Sequence, residues 1–172
     1  GSSALNIYFV IFRIACLNGI VAGSSIASMR VIHSGNAVKR LHDSIDELTE
    51  RLPIVAESVE RLTSVQLDRV QALDFASKAC ALRLAKTPHD VIDAASALRP
   101  KRMADTGTDL FSVFNVVQER VIRGGISYRT EVKRGDFDLK EWRKSRAVNS
   151  IGQSVKFNRE LFDLAMTYAA AV

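Results

Sequence analysis

From Val38 onward, apolar residues recur three and four apart: Val38, Leu41, Ile45, Leu48, Leu52, Val55, Val59 and Leu62. That spacing draws one apolar stripe along a helix. Ser34 or Asn36 caps its start. Charged residues fill the intervals, and Glu47/Arg51 and Glu57/Arg61 stand in the favourable i,i+4 order, each worth about 0.2–0.5 kcal/mol. Pro53 lies inside the stripe. It removes a backbone donor and crowds the carbonyl of Thr49, a cost of roughly 3 kcal/mol in a straight helix. The pattern therefore predicts a kink, or a break at which Pro53 opens a second helix. The stripe keeps its register across Pro53, which favours a kink or a tight joint.

Upstream, Ile, Val, Phe and Tyr crowd the stretch from Leu5 to Ala15, which favours a strand. Asn18-Gly19 supplies a hairpin turn, Ile20 to Ala22 continue the pairing, Gly23-Ser24-Ser25 break it, and Ser28 to His33 form another short strand. The same apolar density also fits a buried helix.

Downstream, Ser64 caps a helix from Val65 to Leu84 with a wide apolar face that includes Leu67, Val70, Leu73, Phe75, Ala76, Ala79, Cys80 and Leu82. Thr87-Pro88 opens a short helix to about Leu98, and Arg99-Pro100-Lys101-Arg102 form a basic break. Thr108 opens a helix with Leu110, Val113, Phe114, Val117 and Val121 on one face, closed by Gly124-Gly125. Residues 126–136 read as a loop or weak hairpin, and Leu139 to Val148 as a short helix. A last helix starts near Ser154 and turns Leu161, Phe162, Ala165, Tyr168 and Ala169 inward.

The expected fold is α+β and mainly α-helical. A short N-terminal antiparallel β-hairpin or sheet precedes a long helix, kinked or broken at Pro53, and a helical bundle. The 172 residues suit one domain, divided into a β-rich part (4–33), a helical part (36–123) and a basic loop/helix segment (124–172).

Composition narrows the chemistry. Hydrophobic residues make up 47% and charged residues 25% of the chain, close to globular averages. Cys16 and Cys80, each in an apolar stretch, read as buried reduced thiols. Ile7 to Phe12 is apolar, but no basic segment precedes it and Arg13 interrupts it, so it is not a signal peptide. No apolar run is long enough for a transmembrane helix. These features predict a soluble, cytoplasmic protein. Gly1-Ser2-Ser3, with no Met, reads as a tag scar or as the start of a fragment of a longer protein.

Motifs for catalysis are missing from the sequence. His33, His42 and His89 have no i,i+3 or i,i+4 spacing and no Cys-x-x-Cys occurs, so no metal site is expected. Gly107, Gly124-Gly125 and Gly152 fit no phosphate loop, and no Gly-x-Ser-x-Gly occurs. We expect no enzyme activity, no cofactor and no small-molecule substrate.

Charge is segregated. Residues 120–160 hold eleven Lys and Arg against five acids, a net +6, whereas residues 1–119 sum to zero. Tyr128, Phe137, Trp142 and Phe157 interleave the cations. Cations hold a phosphate backbone while exposed rings stack on bases, the combination that single-stranded nucleic acid uses. The expected contacts are Arg129, Lys133, Arg134, Arg143, Lys144 and Arg146 for phosphate, with Tyr128 or Trp142 as stacking platforms. Two blander readings compete: Trp142 and Phe157 as core residues, and a basic surface that serves solubility or an acidic protein partner. A different class of function, a protein-interaction or inhibitor module, would pair the Val38–Leu62 stripe with a second copy of the chain or with a host protein.

Several segments carry a family likeness. Phe12-Arg13-Ile14-Ala15-Cys16-Leu17-Asn18-Gly19 is followed by Arg30-Val31-Ile32-His33-Ser34-Gly35-Asn36-Ala37, then by Asp109-Leu110-Phe111-Ser112-Val113-Phe114-Asn115 and by Asn158 in the terminal helix. They resemble the phage- and plasmid-like family called domain of unknown function 932, with its FR-x-x-C-x-N-G and R-x-x-H-x-x-N segments. The resemblance spans most of the chain. It implies a phage or mobile-element setting, often of recombination or replication, and members that are longer at the N-terminus. The family has no established activity, so no catalytic residue carries over. A β-hairpin followed by a long helix is also similar in topology to single-strand annealing proteins, a likeness many folds share. Together these readings predict a non-enzymatic DNA-binding protein, preferring single strands, that assists recombination or annealing; a homo-oligomer is the self-association form of the alternative reading through the Val38–Leu62 stripe.

Overall fold

A computed structural model describes residues 4–8, 28–32, 37–85, 90–100, 106–134 and 137–171. At the N-terminus, β1 (Ala4–Tyr8) pairs antiparallel with β2 (Ser28–Ile32), Asn6 opposite Arg30. The expected N-terminal pairing is therefore present as a two-stranded sheet. The Asn18-Gly19 turn, Arg13, Cys16, His33 and Asn36 lie outside the described residues.

The stripe forms α1 (Ala37–Ser64), 28 residues that continue through Pro53 without a break. Pro53 and Ile54 are exposed. Leu62, at the end of the stripe, is fully buried, and α1 packs against α3 (Leu110–Arg123) and α4 (Ile151–Ala171). The helix thus accommodates Pro53 although the proline supplies no backbone N–H.

The second helix starts later than the apolar pattern implies. The Ser64 hydroxyl donates to the carbonyl of Arg61, so it closes α1 and does not cap the second helix. Val65 to Leu67 instead run alongside the entry to α3: Leu67 N–H donates to Thr108 at 3.0 Å and Leu110 N–H to Val65 at 2.8 Å. Helix α2 (Arg69–Leu84) opens at Asp68, whose carboxylate accepts from Gln71 N–H while the Gln71 side chain accepts from Asp68 N–H. This reciprocal capping satisfies two otherwise orphaned donors. The buried face is narrower than predicted. Phe75, Ala76, Ala79, Cys80 and Leu84 face inward, whereas Val70, Leu73 and Leu82 are exposed.

The predicted short helix after Pro88 is replaced by β3 (Val91–Ile92) and a 3-10 helix (Ala94–Leu98) whose start Asp93 caps. Two β-branched residues find an open strand edge, and Asp93 N–H extends the pairing to the carbonyl of Ser127. In α3 the expected face is correct, and Leu110, Val113, Phe114, Val117 and Val121 are all buried. Its cap is Asp109 rather than Thr108.

Residues 126–148 depart most from the sequence expectation. They form β4 (Ser127–Arg134) and β5 (Phe137–Lys144), a paired hairpin, so the expected helix from Leu139 is a strand. Leu139 and Trp142 imitate helical spacing, but continuous pairing with β4 satisfies the strand backbone and decides the matter. The larger sheet, β3-β4-β5, thus comes after the first helices and does not lie at the N-terminus. Helix α4 starts at Ile151, slightly earlier than expected.

One core joins the four helices. Phe75, Phe114, Leu62, Leu110 and Leu161 are fully buried in it, and Ile126 brings the sheet into contact. Phe75 meets the Tyr168 ring edge-on at 5.7 Å, and the Tyr168 hydroxyl donates to the carbonyl of Gln71. Phe157 is a core residue, only 3% exposed. Cys80 is a buried free thiol, as expected, and burial pushes its pKa up to about 12. Among the described residues, no helix is long and apolar enough to cross a membrane.

Candidate nucleic-acid interface

The hairpin organises the basic segment by strand register. Residues directly opposite in an antiparallel pair share a sheet face, and neighbours along a strand alternate. One row places Val91, Arg129 and Trp142 side by side; the next places Ile92, Tyr128 and Arg143 side by side. Ile92 packs against the core, and Thr130, two residues from Tyr128, is only 7% exposed. The Tyr128–Arg143 row therefore faces the body of the protein, and the Arg129–Trp142 row faces outward.

On the outer face Trp142 is 59% exposed. The Arg129 guanidinium lies 5.8 Å from the centre of its ring, within range of a cation–π contact. Ser127 and Lys144 form the next outward row on one side, Glu131 and Lys140 on the other. Lys140 and Glu131 approach at 3.9 Å, both half exposed, a pairing of little energetic weight.

The inner face borders a cleft of about 710 Å³ lined by Arg83, Leu84, Tyr128, Arg143, Lys144, Ser145 and Arg146. Arg83, near the end of α2, reaches across it. Its Nη1 donates to the carbonyl of Val121 and its Nη2 to the carbonyl of Arg146. Burial lowers its pKa and the nearby Tyr128 phenol partly opposes that shift. Arg143 Nη2 lies 3.5 Å from Glu141.

The segment after β5 is fixed by backbone contacts. Gly125 N–H donates to Ser145, Ser145 N–H to Ile126, and Val148 N–H to Ile122, each at 2.8 Å. Gly124, with φ +78°, closes α3 and lies so near this segment that a Cβ would come within 2.6 Å of the Arg146 carbonyl carbon. No side chain fits there, and the positive φ itself favours glycine.

A buried polar pair joins α3 to α4. Gln118 Nε2 donates to Asn158 Oδ1 at 3.0 Å, and both residues are buried. Glu119 is also buried and pairs with Arg123 at 3.1 Å. Asn158 Nδ2 meets no acceptor among the described residues.

Of the eight residues singled out from sequence, Arg129 and Trp142 meet on the outer face, while Tyr128, Arg143 and Arg146 line the cleft and Lys144 lies at the boundary. Lys133 and Arg134 occupy the turn end of β4, opposite Asp138 and Phe137; their side chains lie outside the described residues. Sequence reasoning missed Arg83. It looks like an ordinary polar residue on a helix, and nothing local announces a contact with Arg146, 63 residues away. Among the described residues no cluster of His, Cys, Asp and Glu could hold a metal ion.

Residues 1–162 match the family model described as "Domain of unknown function (DUF932)", and the chain belongs to that family. It is similar to the UPF0380 protein YfjQ of Escherichia coli (strain K12), 30% identical over 97% of this chain and 58% of the relative. It is equally similar to the UPF0380 protein YafZ of the same organism, 30% identical over 96% of this chain and 58% of that relative. The chain thus spans less than two thirds of the length of these curated relatives. No solved structure matches it.

Proposed function

We propose that this chain, as a member of the DUF932 family, binds single-stranded DNA without catalysing a reaction, and that the strand lies along β5. The observation that carries this reading is the exposed Trp142 with Arg129 held beside its ring. A base stacks on such a ring, a contact worth about 1–3 kcal/mol. Phosphates would meet Arg129 and Lys144 on the outer face. In duplex DNA the faces of internal bases are occupied by their neighbours, so a stacking platform favours single strands. Recombination or annealing in a phage or plasmid setting, in a cytoplasmic compartment, completes the proposal.

The test is fluorescence anisotropy with labelled oligo-thymidine and with a duplex of equal length. Oligo-thymidine binding that weakens about tenfold or more in Trp142→Ala supports the reading, since that is the lower part of the stacking range. Affinity that is equal for both DNA forms and indifferent to Trp142 would refute it.

A further inference from the structure

We infer that the cleft between the end of α2 and the inner face of the hairpin is a second site, for the phosphate of a nucleoside monophosphate, either free or at the 5′ end of a strand. The cleft is of ligand size, about 710 Å³, within the range that holds small molecules. Arg83, Arg143, Lys144 and Arg146 line it and no carboxylate does. Glu141 reaches Arg143 but is not part of the wall.

The central residue of the cleft is Arg83. It is half-buried, and its hydrogen-bond partners are two carbonyls, of Val121 and Arg146. Those contacts satisfy two of its five N–H groups and leave its charge uncompensated. Guanidinium does not give up its proton in a protein, and a partly buried charge with no counter-charge is unfavourable. Among the described residues Arg83 has no acidic partner. An anion in the cleft would supply one.

Phosphate fits better than a carboxylate. Three guanidiniums offer planar pairs of donors to several oxygens at once, and phosphate has the oxygens to accept them. The Arg146 backbone is fixed from two sides, by Arg83 and by the close approach of Gly124, so the site is preorganised. Tyr128 and Leu84 complete the wall and give a base a partly apolar surface. This cleft is on the opposite sheet face from Trp142. The strand-end form of the inference rests on the proposed function above; the free-nucleotide form does not.

Calorimetric titration of the whole chain with thymidine 5′-monophosphate, and separately with thymidine, tests it. The second arm compares oligo-thymidine bearing a 5′-phosphate with the same oligomer bearing a 5′-hydroxyl. The variants are Arg146→Glu, which keeps the carbonyl that Arg83 binds, and Arg69→Glu, exposed at the other end of α2, with thermal melts to confirm folding. In at least one arm the phosphorylated ligand should bind about tenfold or more tightly than its unphosphorylated counterpart. Arg146→Glu should abolish that preference and Arg69→Glu should preserve it. A preference in the first arm identifies a free nucleotide, and one confined to the second identifies a strand end. No phosphate preference in either arm overturns the inference, as does a preference that survives Arg146→Glu. Nucleotide binding with no DNA binding would sink the proposed function and leave this site standing.

Discussion

Arg83 Nη2 donates to the carbonyl oxygen of Arg146 at 2.5 Å, across 63 residues of chain. With Nη1 on the carbonyl of Val121, one side chain ties the end of α2 both to α3 and to the segment after β5. A lysine has one donor centre and cannot reach both carbonyls in the same fork. Arg83→Lys should therefore lower stability by about 1.5–3 kcal/mol, the range for a hydrogen bond to a charged group. Urea unfolding should show a lower midpoint at unchanged slope. An unchanged midpoint would mean that these contacts do not tie the segment down.

Gly124 and Gly125 both have positive φ, +78° and +89°, but their surroundings differ. A Cβ at Gly124 would overlap the Arg146 backbone, whereas Gly125 has open space around it. Gly124→Ala combines backbone strain, about 1–3 kcal/mol, with a clash that only movement of the main chain relieves. Gly125→Ala meets the strain alone. The first substitution should destabilise clearly more than the second in parallel thermal melts, and equal effects would contradict the close approach.

The buried Gln118–Asn158 bond joins α3 to α4. Removing one partner leaves the other amide without a contact it makes in the intact protein, while replacing both with leucine removes polar groups together. A double-mutant cycle of Gln118→Leu and Asn158→Leu should show a coupling of about 0.5 kcal/mol or more, with the pair less damaging than the sum of the singles. Additive effects in chemical denaturation would show that the two amides are not energetically linked.

Burial first, and then the charge of Asp93, raise the Cys80 thiol from 9.0 to about 12. The folded state holds this proton more tightly than the unfolded chain does. Its contribution to stability is therefore complete below pH 9 and is lost as pH rises from 9 through about 12. The slope is at most about 1.4 kcal/mol per pH unit for one proton. Cys80→Ala should flatten the fall in stability over that window. In a Cys16→Ser background, Cys80 should react with a thiol reagent only on unfolding. Fast labelling of the native protein would contradict its burial.

The parts of this fold that were legible in sequence are those that local pattern controls. The α1 stripe kept its register through Pro53, and the α3 face was readable because its five apolar positions keep to one period. Gly124 announced the end of α3. The features that stayed hidden depend on partners distant in the chain. Val91-Ile92 is a strand only because β4 offers an edge, and Leu139 to Lys144 pair with β4 although their spacing imitates a helix. At the candidate site, segregated charge and the position of Trp142 were visible in sequence. The meeting of Arg129 with Trp142 comes from register alone, and the place of Arg83 from packing between α2, α3 and the end of the hairpin.

Trp142 is the only tryptophan in the chain, so its fluorescence reports on the proposed stacking platform directly. Titration with unlabelled oligo-thymidine at low salt should quench that emission. Added salt should reverse the quench, with a slope of log affinity against log salt of about −0.7 per phosphate neutralised. Arg129→Glu should weaken binding and make that slope shallower. Emission that stays constant at saturating DNA would contradict the account, because the exposed ring beside Arg129 would then not be where the bases bind.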